Sequence, residues 1–412
     1  MKRLLPVVGA LVLVAAVVAV VVWQRSDSKA ALPPSGDVVL QYADGSQLWR
    51  LGEQETPLIK QVIGDLGAKA RMTLDQLRES GGAIVVTTID RRAQTGAVDV
   101  IRTIAAGEAE SLRYSITAVD PNNGAVKAYA PGNDPGVDYA GGVLKEPGSA
   151  FFPFNVVAAL QTGKTLDSAY DGRSPRRFGQ LSISDEVSCG ERCTVRDALQ
   201  KSSNVVMYDL VANDVGIKPV VTAARQAGVP ESVDIDGKKT KLLVGEGDNI
   251  PNATVSVGAD EARMRPLDLA ASYATFAAEG THHDAHFVTH ITDVRGSTLY
   301  RADTKGTPAF DPDPARSKDI ANQITGVLQG DSCGPAQPEV ASRCGEWHMP
   351  GPEQGRFSHA WMVAYDPRIS VSVFVGSAQP STPAVDRDGR AVVGSGLPDK
   401  LGDAFREKLT QW

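Results

Sequence analysis

Positive charge is in short supply in this chain: Lys and Arg total 42 against 49 Asp and Glu, a formal net charge of -7 over 412 residues. With a pI near 5.5, nucleic-acid binding is excluded as the main task, because that work needs a basic face. No internal repeat and no extended low-complexity tract stands out. Cysteine is scarce, at four residues, and none lies near the apolar run at the start, so lipoprotein processing is not expected. The cysteines do not suit a metal either. Cys189 with Cys193, and Cys333 with Cys344, lack the Cys-x₂-Cys spacing and adjoining histidines of a zinc site. No metal and no cofactor is expected. What remains is apolar material, 42% of the residues, enough for a large core in one or two domains.

One long hydrophobic run is present. Lys2 and Arg3 precede an apolar stretch from Leu4 to Trp23, long enough to span a bilayer. A cleaved signal peptide has a shorter apolar core followed by a small-residue cleavage site, so residues 1–25 read as an uncleaved single-pass anchor. Arg25 and Lys29 on the far side balance Lys2 and Arg3, which leaves orientation undecided by charge. The polar stretch after the anchor contains Pro33 and Pro34 and suits a linker. Residues 26–84 as a whole are expected to form linker and membrane-proximal stalk.

Further on, the pattern alternates between strands and helices. VVLQYADGSQLWRLG breaks its apolar-polar alternation at Asp44-Gly45, a hairpin signal. YSITAV and AVKAYA flank the turn Asp120-Pro121-Asn122-Asn123-Gly124, a second strand-turn-strand signal. RPLDLAASYATFAAEG has helical periodicity, with Pro266 at its start and Gly280 at its stop. HAWMVAYDPRISVSVFVG reads as another hairpin, with Ile369, Val371, Val373 and Val375 on one face. His282, His283, His286 and His290 fall in THHDAHFVTH and are expected to be solvated loop histidines. His348 and His359 flank a loop, where either could act as a stray base.

The octapeptide PGSAFFPF, Pro147 to Phe154, resembles the nucleophile motif P-G-S-T-F-K-P-F of penicillin-binding proteins. Other segments resemble the same family in the same order. GGAIVVTTIDRRAQ is similar to its T-T-x-D-x-x-x-Q entry, the Asp120 turn to its D-P-x-T-G hairpin, and the Tyr273 helix to its P-L-x-x-A-x-x-Y segment. The Trp361 hairpin is similar to its W-F-x-G-Y-x-P. The resemblance covers about residues 85–412, and no glutamate-aspartate signature of a glycosyltransferase domain occurs. It implies an α+β, serine β-lactamase/D,D-transpeptidase-like domain over 85–412. An antiparallel sheet covered by helices is expected there, preceded by the N-terminal transmembrane helix. It also implies that the bulk of the chain lies outside the cytoplasm. In that compartment an even cysteine count suggests disulfides. Two local bridges, Cys189–Cys193 and Cys333–Cys344, are preferred among the three possible connectivities.

The resemblance assigns three catalytic motifs. In the first, Ser149 holds the nucleophile position, and Phe152 stands where the family has the lysine that takes the serine's proton. Residues i and i+3 share a helix face, so a base belongs at 152, and phenylalanine can neither accept nor donate a proton. Losing a positioned base typically costs about 10²–10⁴-fold in rate. The second motif, S-x-N, falls on Ser202-Ser203-Asn204; Ser202 would relay protons and Asn204 would hold a substrate amide. The neighbouring Lys201 is not expected to point the same way. The third, K-T-G, falls on Arg343-Cys344-Gly345, followed by Glu346. Arg343 keeps a positive charge but replaces a point charge by a planar fork. Cys344 replaces a hydroxyl, and Glu346 brings negative charge where the family binds an anion. Only Gly345 is retained.

A catalytically degenerate transpeptidase domain, acting as scaffold or regulator in peptidoglycan assembly, is therefore favoured. The alternatives are an active D,D-transpeptidase acylated at Ser149 and a β-lactam or muropeptide sensor. The implied partners are a peptidoglycan stem peptide or β-lactam, together with cell-wall synthesis proteins at the membrane.

Overall fold

β-Branched residues at alternate positions build the central sheet. The strand Ile369–Ser377 turns Val371, Val373 and Val375 to one apolar cluster and Phe374 to another. A strand's side chains alternate between faces, so one segment serves two cores. The computed structural model describes residues 36–329, 341–348, 357–379 and 382–410. The apolar run Leu4–Trp23, the Pro33-Pro34 linker and Cys333 lie outside the described residues. No helix among the described residues is long and apolar enough to cross a membrane.

In chain order, the elements that position the site begin with strands β1 (Val38–Gln41), β2 (Gln47–Arg50) and β3 (Ala83–Thr87), with helix α1 (Pro57–Asp65) between the last two. Helix α2 (Arg91–Ala105) and strands β4 (Leu112–Val119) and β5 (Val126–Ala130) follow. The middle of the chain supplies α3 (Phe152–Gln161), α4 (Val195–Gln200), α5 (Asn204–Leu210) and α6 (Pro266–Ala277). The last part contributes β6 (Val288–Asp293), β7 (Thr298–Arg301), α7 (Pro314–Leu328), β8 (Ala341–His348), β9 (Phe357–Asp366), β10 (Ile369–Ser377) and α8 (Leu397–Thr410).

The main sheet has five strands in the order β8-β9-β10-β4-β5, and every pairing in it is antiparallel. Strands from both ends of the domain therefore meet side by side, as the resemblance implied. Helices α2 and α8 pack on the face of Val371 and Val373; α6 packs on the other. Helix α6 is buried along its whole length. Its Leu269, Tyr273 and Phe276 enter one cluster, while Ala270, Ala271 and Ala274 enter the next. A helix buried on every side needs such a central place, and its Asp268 is paired with Arg265 at 2.6 Å.

The expected stalk contains folded structure. β1 and β2 form the hairpin read from Asp44-Gly45. β1 also runs parallel to β3, with Val38 opposite Ala83, and β3 pairs with the distant β6. The result is a second five-stranded sheet, β7-β6-β3-β1-β2. The Asp65 carboxylate ties α1 to it, accepting the backbone N–H groups of Phe287 and Val288 at 2.8 and 3.0 Å.

His286 corrects the reading of a solvated histidine run. It is only 3% exposed, and burial lowers its pKa. Its main chain bridges the sheets, donating to the Gly124 carbonyl and accepting from Val126 N–H. His282 contacts Thr275 Oγ1 and Asp284 Oδ1 at 3.2 and 3.1 Å. No group of three or more metal-capable side chains occurs among the described residues.

Candidate active site

Ser149 sits in a 3₁₀ turn, Gly148–Phe151, that runs directly into α3. Residues three apart in a 3₁₀ turn eclipse one another, so Ser149 and Phe152 lie along one side of the turn. Glycines shape it. Gly148 has φ +56° and Gly258 has φ +67°, the left-handed region that L side chains avoid. A Cβ on Gly258 would overlap the Gly148 carbonyl, and Gly148 N–H donates to Gly258 O at 3.1 Å. On the other side Gly345 of β8 presses close: a Cβ there would overlap the Pro147 carbonyl oxygen and come 2.8 Å from Ala150 N.

Three side chains fix the same turn by hydrogen bonds. Tyr273 Oη donates to Ala150 O at 2.8 Å. Trp361 Nε1 donates to Glu146 O at 2.9 Å, and His359 Nε2 meets the same carbonyl at 2.8 Å. A carbonyl only accepts, so His359 carries its proton on Nε2, and Nδ1 accepts from the Ser358 hydroxyl at 2.9 Å. His359 is 1% exposed, and burial pushes its pKa down to about 3. The reading of His359 as a stray base is thereby corrected: both ring nitrogens are engaged and the ring stays neutral. His348 lies in β8, opposite Phe357.

The Ser149 hydroxyl donates to the backbone carbonyl of Cys344 at 2.8 Å. Its residue is 9% exposed. Among the described residues, no titratable side chain bonds to this hydroxyl. Phe152 is fully buried and joins the cluster beneath the turn with Phe151 and Phe154.

Arg343 unites the three motifs. Its Nε donates to Ser149 O at 3.2 Å, one Nη donates to the Leu199 carbonyl, and the other donates to Ser202 Oγ at 2.7 Å. The guanidinium carbon lies 5.4 Å from the centre of the Phe152 ring, within cation–π range. Only 4% of the residue is exposed.

Strand alternation separates Arg343 from its neighbour. Arg343 and Gly345 pair with Val363 and Trp361, on the face of the Ser149 turn. Cys344 pairs with Met362 and packs in the opposite cluster. Its side chain is thus directed away from Ser149, and only its carbonyl reaches the site. Cys344 is disulfide-bonded; its expected partner Cys333 is outside the described residues. Glu346 continues β8 opposite Ala360, and its side chain is outside the described set.

The second motif straddles a helix start. Ser202 adopts φ +57°, and Ser203 caps α5 through Val206 N–H. Lys201 is exposed, clear of the site as expected. Asn204 donates its side-chain amide to Ser184 O at 3.2 Å. A residue that motif reasoning missed, Asp185, holds this motif: its carboxylate accepts from Ser203 Oγ at 2.7 Å and from Val205 N–H at 3.1 Å. Burial raises its pKa. Asp185 rides on an excursion between the paired segments Ala169–Gly172 and Gly190–Thr194, and a disulfide between Cys189 and Cys193, the first of the two expected bridges, lies at the end of it. No local pattern announces Asp185, because its partners lie 18 and 20 residues away.

A serine on a glycine-moulded turn, capped by a sheet edge and flanked by an S-x-N helix start, defines a serine acyl-transfer fold. Residues 114–392 match the penicillin-binding protein transpeptidase domain. The chain belongs to the penicillin-binding protein family through that domain. It is 33% identical over 337 residues to penicillin-binding protein 1A of Mycolicibacterium smegmatis, an alignment covering 80% of this chain and 42% of that protein. Identity to penicillin-binding protein 1A of Mycobacterium tuberculosis is 32% over 340 residues, 80% of this chain and 40% of the relative. The chain thus spans less than half the length of these relatives. Among solved structures, PonA1 from M. tuberculosis in complex with penicillin V superposes with a TM-score of 0.77 at 30% identity, covering 87% of this chain and 94% of that one. A penicillin G acyl-enzyme of penicillin-binding protein A, at 18% identity and TM-score 0.71, shares the fold.

Proposed function

We propose that this protein is a membrane-anchored, extracytoplasmic member of its family that serves peptidoglycan assembly as a scaffold or regulator, with a catalytically silent transpeptidase domain. One observation carries this reading: the Ser149 hydroxyl donates to the Cys344 carbonyl, while the base position holds the buried ring of Phe152. A serine nucleophile needs an acceptor for its proton, and a backbone carbonyl is too weak a base to serve. His359, one of the two histidines read from the sequence as a stray base, is neutral with both nitrogens in use. Removal of a positioned base reduces turnover by about 10²–10⁴-fold, and by more when several members of one catalytic unit are lost. Anchoring is supported by the apolar run Leu4–Trp23, and the extracytoplasmic address agrees with the Cys189–Cys193 disulfide.

The test is incubation of the full chain, in detergent, with a fluorescent penicillin, beside Ser149→Ala and a working penicillin-binding protein. The expected result is no covalent label. Labelling that vanishes in Ser149→Ala would overturn the silent-domain reading in favour of an acylating enzyme or sensor.

A further inference from the structure

We infer that Arg343 and Phe152 form one interlocked unit, in which the guanidinium, seated on the ring, is a built-in occupant of the cleft that clasps all three motifs. The inference rests on the silent-domain reading and says what fills the site instead of catalytic groups. An arginine presents five N–H donors in a fixed plane. Here that plane reaches Ser149 O of the first motif, Ser202 Oγ of the second and Leu199 O at the end of α4. The Phe152 ring supports the guanidinium at 5.4 Å.

The two residues depend on each other. A lysine at 343 would deliver a point charge to one or two of these acceptors and forfeit the remaining hydrogen bonds of the guanidinium. A lysine at 152 would put an ammonium where the ring now lies against the guanidinium, and two cations in a buried place repel. Arg343 therefore fits because Phe152 is aromatic, and Phe152 is covered because Arg343 is planar. An arriving carboxylate would have to displace acceptors that the guanidinium already holds, Leu199 O and Ser202 Oγ among them. The cleft is self-occupied, and Arg343 is a positioning residue.

A double-mutant cycle tests the unit: thermal unfolding of the full chain in detergent, with F152L, R343M and the double variant. Phe152→Leu keeps an apolar side chain and removes the ring face. Each single change is expected to lower the melting temperature, and the double to lower it by less than the sum, by at least about 2 °C. Additive shifts would overturn the inference. R343K supplies the second measurement and replaces R343M if that variant does not fold. It keeps the charge, yet is expected to melt below wild type, with a smaller deficit in the F152L background. Full stability of R343K, or an equal deficit in both backgrounds, would overturn the unit. These melts are read without penicillin, so a positive labelling result would sink the silent-domain reading and leave the clasp standing. Additivity would do the reverse.

Discussion

The Ser149 hydroxyl and the Cys344 carbonyl meet at 2.8 Å across 195 positions of sequence. This bond ties the turn before α3 to the outer strand β8. It also directs the serine proton to a main-chain acceptor on the strand. The chemistry of the cleft has to be judged from that starting geometry.

Restoring the missing base alone should fail. Phe152→Lys places an ammonium in a fully buried site beside the Arg343 guanidinium. An unpaired buried charge costs about 3 kcal/mol or more. The expected outcome is a lower unfolding midpoint and no gain in penicillin turnover. Substantial turnover by this single variant would refute the account of the site.

Gly345→Ala should damage the fold at the turn. The new Cβ would overlap the Pro147 carbonyl and approach Ala150 N to 2.8 Å. Both are backbone atoms, so neither side yields cheaply, and overpacking of this kind costs about 1–3 kcal/mol. Urea denaturation should show a midpoint below that of wild type, with an unchanged slope. An unchanged midpoint would show that β8 stands farther from the turn.

His359 makes stability depend on pH in a stated direction. Its folded pKa, about 3, lies below the ordinary value near 6.5, so between those limits the unfolded chain binds the extra proton. Stability from this residue is therefore complete above about pH 6.5 and is lost as pH falls toward 3. The loss amounts to a few kcal/mol, since each pKa unit corresponds to about 1.4 kcal/mol. Urea midpoints measured from pH 7 to pH 4 should fall for wild type and fall less for His359→Gln. Parallel profiles would show that other groups carry the acid sensitivity.

Asp65→Ala should loosen the N-terminal sheet. The carboxylate accepts two backbone N–H groups, from Phe287 and Val288. Without it, both lose their partner, at about 1–3 kcal/mol for each buried group. Hydrogen exchange at Phe287 and Val288 should speed up, while exchange in β9 and β10 stays as in wild type. Equal acceleration in both places would mean that the two sheets unfold as one.

The central sheet was legible because its hairpins are local. The turn at Asp120–Gly124 and the Val371, Val373, Val375 alternation write β4, β5, β9 and β10 into contiguous stretches. The Ser149 turn and the Tyr273 helix were legible through motif order. The second sheet was less so, because β3 finds β6 about two hundred residues later, and nothing in AIVVT names its partner. Arg343 illustrates another limit. Its residue type promised a charge for an incoming anion, but only the fold shows the guanidinium turned inward onto Ser149, Leu199, Ser202 and Phe152. His359 resembled a loop base because burial has no local signature. Cys344 could have been placed better, since strand alternation from Gly345 puts its side chain on the far face.

The pinch points at Gly148, Gly258 and Gly345 separate form from reactivity. The tightest contour of the turn is set where main chain touches main chain, and the hydrogen bonds of Tyr273, Trp361 and His359 brace it from outside. Exchange of a base for an aromatic ring, or of one cation for another, leaves that contour intact. Under the silent-domain proposal, a neighbouring protein that feels only the outside of this domain would meet the silhouette of a transpeptidase.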